Sequence, residues 1–305
     1  MRDKISVVMT TYNGEKYIVE QMESIRTQTK NVDEVIIKDD CSSDDTCKIV
    51  SDYIGKYNLE NWKLISNENN LGWKTNFASV IEMASGDFVF LCDQDDIWMN
   101  NKVEVMYSAM KNNTNIDVLV SNYQLFIDDG VKSYVQGQKK ANNHLVEKYH
   151  AKNNFIYTKY PGCVYCIKAE ILDIFKKYWN EKFSHDTLLW HIAYIRNGLY
   201  VVQEDLIKYR RHDNTATGRK ISDKKDRLQT IDRYKCLINM YRDYIGAQDG
   251  YADLLKGLIR IEKWNNNREK IVKNRNVFSM IKNIRYLQYY WSFKTYISDI
   301  LWSFK

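Results

Sequence analysis

Short hydrophobic runs alternate with longer amphipathic stretches through the first part of the chain. The runs Ile5 to Met9, Glu34 to Ile37, Trp62 to Ile65, Phe88 to Cys92 and Asp117 to Val120 are too short for helices and rich in β-branched and aromatic residues, so they read as strands. Between them, Glu15 to Gln28, Thr46 to Lys56, Lys74 to Ala84 and Asn101 to Lys111 have the length and period of crossover helices. Strand and helix in alternation predict an α/β fold with a Rossmann-like, mostly parallel sheet flanked by helices on both faces.

The residues just behind the strands carry the chemistry. Thr10, Thr11, Tyr12 and Asn13 come after the first, Asp39, Asp40, Cys41 and Ser42 after the second, and Asp93-Gln94-Asp95-Asp96 after the fourth. In an open parallel sheet these segments gather along the carboxyl edge, where ligands bind. The chain has neither a G-x-G-x-x-G nor a GKS/GKT loop, so phosphate recognition falls to side chains and metal. Three carboxylates behind a buried strand repel one another unless a cation neutralises them. An oxygen-rich D-x-D cluster suits Mg2+ or Mn2+ with positions left open for a diphosphate. The competing reading is a polar loop that caps the next helix.

Further on, residues 131 to 154 are polar and weakly patterned, as a mobile loop or lid would be. The chain's single proline, Pro161, turns into a strand-like GCVYCI. His185-Asp186 opens a helix running from Thr187 to Arg196, which Gly198 stops; a strand Leu199 to Val202 and then Tyr209-Arg210-Arg211-His212 come next. Beyond a boundary near residue 218 the periodicity is helical almost to the end.

With 305 residues and 44% apolar content the chain can bury a substantial core, and its net charge of +6 does not indicate a nucleic-acid binder. The excess is local: Tyr251 to Lys305 holds eleven Lys/Arg against four Asp/Glu. From Asn274 onward those cations mix with many aromatics, a composition suited to helices in a membrane interface and equally to packing or a homodimer contact. No window is apolar enough to span a bilayer, and no secretory hydrophobic stretch opens the chain, so the expected location is the cytoplasm with reduced cysteines. The Cys163/Cys166 pair fits structural burial better than zinc.

Five segments in order, ISVVMTTYNGEKYI, VIIKDDCSSDDT, NLGWKTNFASVIEMASGDFVFLCDQDDIW, the His185-Asp186 pair and YRRH, resemble the family 2 glycosyltransferases over residues 4 to 218. The resemblance implies a GT-A fold, a nucleotide-diphosphate sugar donor and inversion at the anomeric carbon. It places Thr11, Tyr12 and Asn13 along the nucleotide pocket, Asp40 on the base with Asp39 beside it, and Asp93 toward the ribose or diphosphate. Asp95 becomes the principal ligand of Mg2+ or Mn2+, with Asp93 and His212, Asp186 the catalytic base, and Arg210 and His212 an R-x-H near the diphosphate. Residues 1 to 125 would bind the nucleotide sugar, 126 to 218 would face the acceptor, and 219 to 305 would form a helical, basic and aromatic region. LCDQDDIW is most similar to bacterial rhamnosyltransferases of surface polysaccharide synthesis, so dTDP-rhamnose is the expected donor and a saccharide, lipid-linked if the tail meets a membrane, the acceptor. A UDP-hexose or UDP-N-acetylhexosamine donor is the alternative. A nucleotidyltransferase or a non-catalytic nucleotide-sugar-binding protein is the reading from another class.

Overall fold

A computed structural model of the chain describes residues 2–128, 141–151, 154–213, 223–246 and 249–304. The described chain forms two units, Met1–Tyr149 with Thr158–Thr215, and His150–Tyr157 with Ala216–Lys305. The expected boundary near 218 and half of the expected lid, residues 131–140 and 152–153, lie outside the described residues. The segment His150–Tyr157, expected on the acceptor side of the first domain, belongs with the second unit.

The first unit is built on nine strands: β1 (Ile5–Thr11), β2 (Glu34–Asp39), β3 (Trp62–Ser66), β4 (Phe88–Cys92), β5 (Ile97–Trp98), β6 (Val118–Ile127), β7 (Val146–Lys148), β8 (Tyr165–Lys168) and β9 (Leu199–Arg211). Their order is β3-β2-β1-β4-β8-β6-β9-β5, with β7 added on β9. The first three and β4 pair in parallel, while β4 and β6 both run antiparallel to β8 and β6 runs parallel to β9. Six of the nine described strands therefore point one way, and their carboxyl ends share one edge. Central β4 is buried at every position, as a strand covered on both faces must be.

The helices α1 (Ile18–Arg26), α2 (Thr46–Lys56), α3 (Trp73–Ile81), α4 (Lys102–Asn112), α5 (Leu172–Tyr178) and α6 (His185–Ile195) complete this unit. The first four lie where the amphipathic stretches put them. Three features differ from the sequence expectation. Gly162–Val164 forms a single 3-10 turn before β8, so Cys163 and Cys166 do not share a strand. The last strand continues far beyond Val202 and carries Tyr209, Arg210 and Arg211 on its end, because β6 pairs along its whole length across two register shifts. Part of the polar stretch expected to be loop pairs as β7. The second unit is helical, with α7 (Lys224–Ile245), α8 (Ala252–Asn274), α9 (Val277–Ile284) and α10 (Phe293–Ser303).

Candidate active site

The ends of β1 and β2 are tied together by side chains. Thr11 donates to Asp39 Oδ1 at 2.7 Å, and Ser42 donates to the same carboxylate through its backbone at 2.8 Å and its hydroxyl at 2.5 Å. Asp39 is thus occupied by its own loop, as an Asx-type turn residue is. Asn13 and Cys41 both take left-handed backbone, φ 47° and 66°, which turns the two loops toward each other. Asn13 closes the pair by accepting from the Ser43 amide at 2.9 Å and donating its own amide to Ser42 at 2.9 Å. Asp40 Oδ1 accepts from Asn67 Nδ2 at 2.9 Å and the Leu71 amide at 2.8 Å, so it organises the stretch leading into α3. Tyr12 remains half exposed beside these loops.

The acidic loop after β4 is docked on both sides. Gln94 accepts from the Tyr12 amide at 2.8 Å and donates to the Tyr12 carbonyl at 3.0 Å, a two-point clasp on the first loop. A Cβ on Gly14 would sit 2.2 Å from Gln94 Oε1, so glycine is what lets the clasp close. On the other side Arg210 donates its amide to Asp96 Oδ1 at 2.8 Å and its Nε to the Asp95 carbonyl at 2.7 Å. The rest of its guanidinium pairs with Asp128 at 3.0 Å and with Glu20, and lies over the rings of Tyr17 and Phe126. The Arg210 charge is therefore balanced by carboxylates of the chain itself, and its geometry is that of a brace.

Asp95 Oδ2 meets His212 Nε2 at 2.7 Å, and the His212 ring packs on Tyr17 with centroids 4.7 Å apart. Burial, then the charges of Asp95 and Asp186, push Asp93 up to about 7. Burial and the same crowding by Asp95 and Asp93 push Asp96 well up, and Asp96 Oδ2 has no hydrogen-bond partner among the described residues. The buried Lys102, which donates to the Cys163 carbonyl at 2.8 Å, is the cation on this side of the cluster. Asp93, Asp96 and Cys163 bring ligand atoms within 4.8 Å of one another. Burial pushes the Cys163 thiol up. Among the described residues the group within ligating range is Asp93, Asp96 and Cys163, whereas Asp95 and His212, both expected as ligands, pair with each other; a divalent cation at the carboxylates would relieve the crowding that raises Asp93 and Asp96.

Asp186 stands in the first turn of α6, half-buried, and accepts from the Thr187 amide at 2.7 Å. Its neighbour His185 is buried, stacked on Phe77 at 3.8 Å and edge-on to Trp73 at 6.5 Å. A Cβ on Gly162 would fall 2.4 Å from His185 Nε2 and 3.4 Å from Asp186 Cβ. The 3-10 turn after Pro161 thus packs directly against the start of α6. The strand ends, the acidic loop and the R-x-H segment are brought together through hydrogen bonds, and the start of α6 packs on Gly162, next to the Cys163 that lies beside Asp93 and Asp96. Sequence reasoning did not single out Gln94, Asp96, Glu20, Tyr17, Asp128 or Lys102. Only Asp96 carried a signal, as the last carboxylate of the cluster.

The Glycosyl transferase family 2 model matches residues 6–179, more than half of the chain. The chain belongs to this family. As a family 2 glycosyltransferase it is 34% identical over 231 residues to the dTDP-rhamnosyl transferase RfbG of Shigella flexneri, covering 70% of this chain and 75% of that protein. Among solved structures, S. aureus TarS 1-349 in complex with UDP-GlcNAc superposes with a TM-score of 0.65 at 22% identity, over 97% of this chain and 81% of that one. The mannosyltransferase PcManGT from Pyrobaculum calidifontis in complex with GDP-Man and Mn2+ superposes with a TM-score of 0.52 at 13% identity, over 99% and 84%. The glycosyltransferase has the GT-A fold that its sequence resemblance implied.

Proposed function

We propose that this glycosyltransferase moves rhamnose, with inversion, from dTDP-rhamnose to a hydroxyl of a saccharide acceptor. The observation that supports the site assignment is the packing of Gly162 against His185 and Asp186 while the adjoining Cys163 lies beside Asp93 and Asp96, so that one short turn touches both the start of α6 and the acidic loop. The likeness to RfbG supports the donor.

In this reading Thr11, Tyr12, Asn13, Asp39 and Asp40 form the nucleotide pocket, with Asp40 holding the base and Asp39 fixing the loop. Asp95, Asp93 and His212 would hold Mg2+ or Mn2+, which when bound supplies Lewis-acid charge beside the departing diphosphate. Asp186 accepts the proton of the acceptor hydroxyl as the new C–O bond forms and the bond to the diphosphate breaks, a single displacement without a covalent enzyme intermediate. Arg210 and His212 stand near the diphosphate, where Arg210 also braces the acidic loop and His212 pairs with Asp95. Residues 1 to 125 then serve the nucleotide sugar and 126 to 218 the acceptor. A lipid-linked saccharide at the cytoplasmic face of the membrane suits the basic, aromatic tail, and the pathway is that of a bacterial surface polysaccharide.

The fold likeness to TarS bound to UDP-GlcNAc favours a UDP-sugar donor as the second reading. Incubation with Mg2+ and dTDP-rhamnose, UDP-glucose, UDP-galactose or UDP-N-acetylglucosamine, read by thermal shift and slow donor hydrolysis, tests both. A response to dTDP-rhamnose with release of dTDP is expected. A response only to a UDP sugar overturns the donor, and release of pyrophosphate would point to a nucleotidyltransferase.

A further inference from the structure

Helices α9 and α10 are turned inside out relative to ordinary surface helices. On α9 the buried positions are polar, Ser279 and Asn283, while Val277, Phe278, Ile281 and Ile284 are 62%, 78%, 61% and 53% exposed. On α10 the buried positions include Asp299 and Ser303, while Phe293 and Leu301, with Phe304 just beyond, are 60% exposed or more. A helix of a water-soluble domain normally faces the other way, and single exposed apolar residues do not gather in this fashion.

The inward polarity is built rather than accidental. Asn283 donates to the Tyr290 hydroxyl at 2.9 Å and accepts from Asn267 of α8 at 3.0 Å. Asp299 is fully buried and paired with Arg268 of α8 at 2.6 Å and Arg227 of α7 at 3.3 Å. Tyr296 donates to the Met280 carbonyl at 3.0 Å and so ties the two helices together. Both helices grip α8 through polar contacts and present their apolar sides away from it.

We propose that these outer faces form a docking surface for an anionic lipid bilayer. Charge selects that occupant. Between residues 277 and 304 the exposed charged groups are Lys282, Arg285 and Lys294, and the one acid, Asp299, is buried in its ion pairs. A second copy would set these cations against their like, whereas anionic headgroups oppose them. Apolar and aromatic side chains flanked by lysine and arginine are what an interfacial helix presents to the headgroup and acyl boundary, and Trp291, 56% exposed between the two helices, suits the same depth. No described helix is long and apolar enough to cross a membrane, so the contact is peripheral. The surface does not depend on which sugar is transferred.

Sedimentation of the full chain with phosphatidylcholine vesicles, with and without phosphatidylglycerol, tests the surface. The wild type is expected to bind only the anionic vesicles and to be released by salt. Combined Phe278→Ser, Ile281→Ser, Phe293→Ser and Leu301→Ser, and separately Lys282→Glu, Arg285→Glu and Lys294→Glu, are each expected to lower partitioning by about tenfold or more. Helix content and the donor thermal shift should be kept, and if the apolar variant loses helix content the charge-reversed one decides. Wild-type partitioning of the charge-reversed protein overturns the proposal. So does self-association abolished by the serine substitutions in a protein that binds no vesicle, which would make the surface a contact between copies.

Discussion

Asp95 ends in a pair with His212 while Asp186 accepts from the Thr187 amide at the start of α6, and the two should fail differently when each is replaced by asparagine. If Asp95 holds the metal as proposed, Asp95→Asn removes a hard ligand from a small set, so turnover should vanish with the fold intact and a chelator should reproduce the loss in the wild type. Full activity in excess chelator would remove the metal from the mechanism. Asp186→Asn should lower kcat by about 100-fold or more while donor affinity barely changes, since a base acts only on the acceptor proton. A wild-type rate would move the base elsewhere. The histidine beside it offers a pH test. Burial pushes His185 down to about 4, against the opposing charge of Asp186, so the folded state keeps it neutral. The unfolded chain binds its proton below the ordinary value of 6.5, so this contribution to stability is whole above that pH and is lost as pH falls toward 4. Relative to His185→Leu, the wild type should lose on the order of 3 kcal/mol between neutral pH and pH 4, measured by urea unfolding. Parallel pH profiles of the two proteins would show that His185 is not the group. Raised Asp93 contributes a slope of the opposite sign, but equally to both proteins.

At the scale of elements, what was legible depended on whether local pattern or a distant partner decides the structure. The run Phe88–Cys92 is buried on both faces and ends where its carboxylates begin, so strand, edge and acidic loop could all be read together. The end of β9 could not. Gln203, Glu204 and Asp205 interrupt its apolar pattern, and the strand continues only because β6 and β5 pair with it beyond that point. Arg210 was expected beside a diphosphate from the R-x-H resemblance alone, and its partners within the chain, Glu20 of α1 and Asp128 just past β6, lie too far away in sequence to be read locally. Gln94, the clasp on Tyr12, gave no signal because a glutamine between aspartates has no pattern of its own. The brace has a measurable duty. Arg210→Lys keeps the charge but cannot reach Asp95, Asp128 and Glu20 together, and charged hydrogen bonds contribute about 1.5 to 3 kcal/mol each. The variant should bind Mn2+ more weakly and lose kcat with little change in nucleotide affinity. Unchanged Mn2+ affinity, by calorimetry, would mean the acidic loop holds its shape without the arginine.

Over the whole molecule, the first unit follows from strand and helix periodicity, while the second was legible only as helical and basic. Its organising group, Asp299, is a lone acid in an apolar, aromatic segment, and nothing local marks it as buried. Arg268 explains it: the guanidinium is enclosed by Trp264, Tyr234 and Tyr290, with centroids 4.8 to 5.8 Å away, and it needs a counter-charge in that cage. Arg227 adds a second buried cation to the same carboxylate. Removing one partner of such a group leaves uncompensated charge in a dry interior, at a cost of about 3 to 5 kcal/mol. Asp299→Ala should therefore destabilise the helical unit by that amount, seen as an earlier transition in thermal unfolding. Because the proposed nucleotide pocket draws its residues from the first unit, donor binding measured below that transition should be unchanged. Unaltered melting would mean that water reaches the two arginines and that the apparent burial of this network overstates its isolation from solvent.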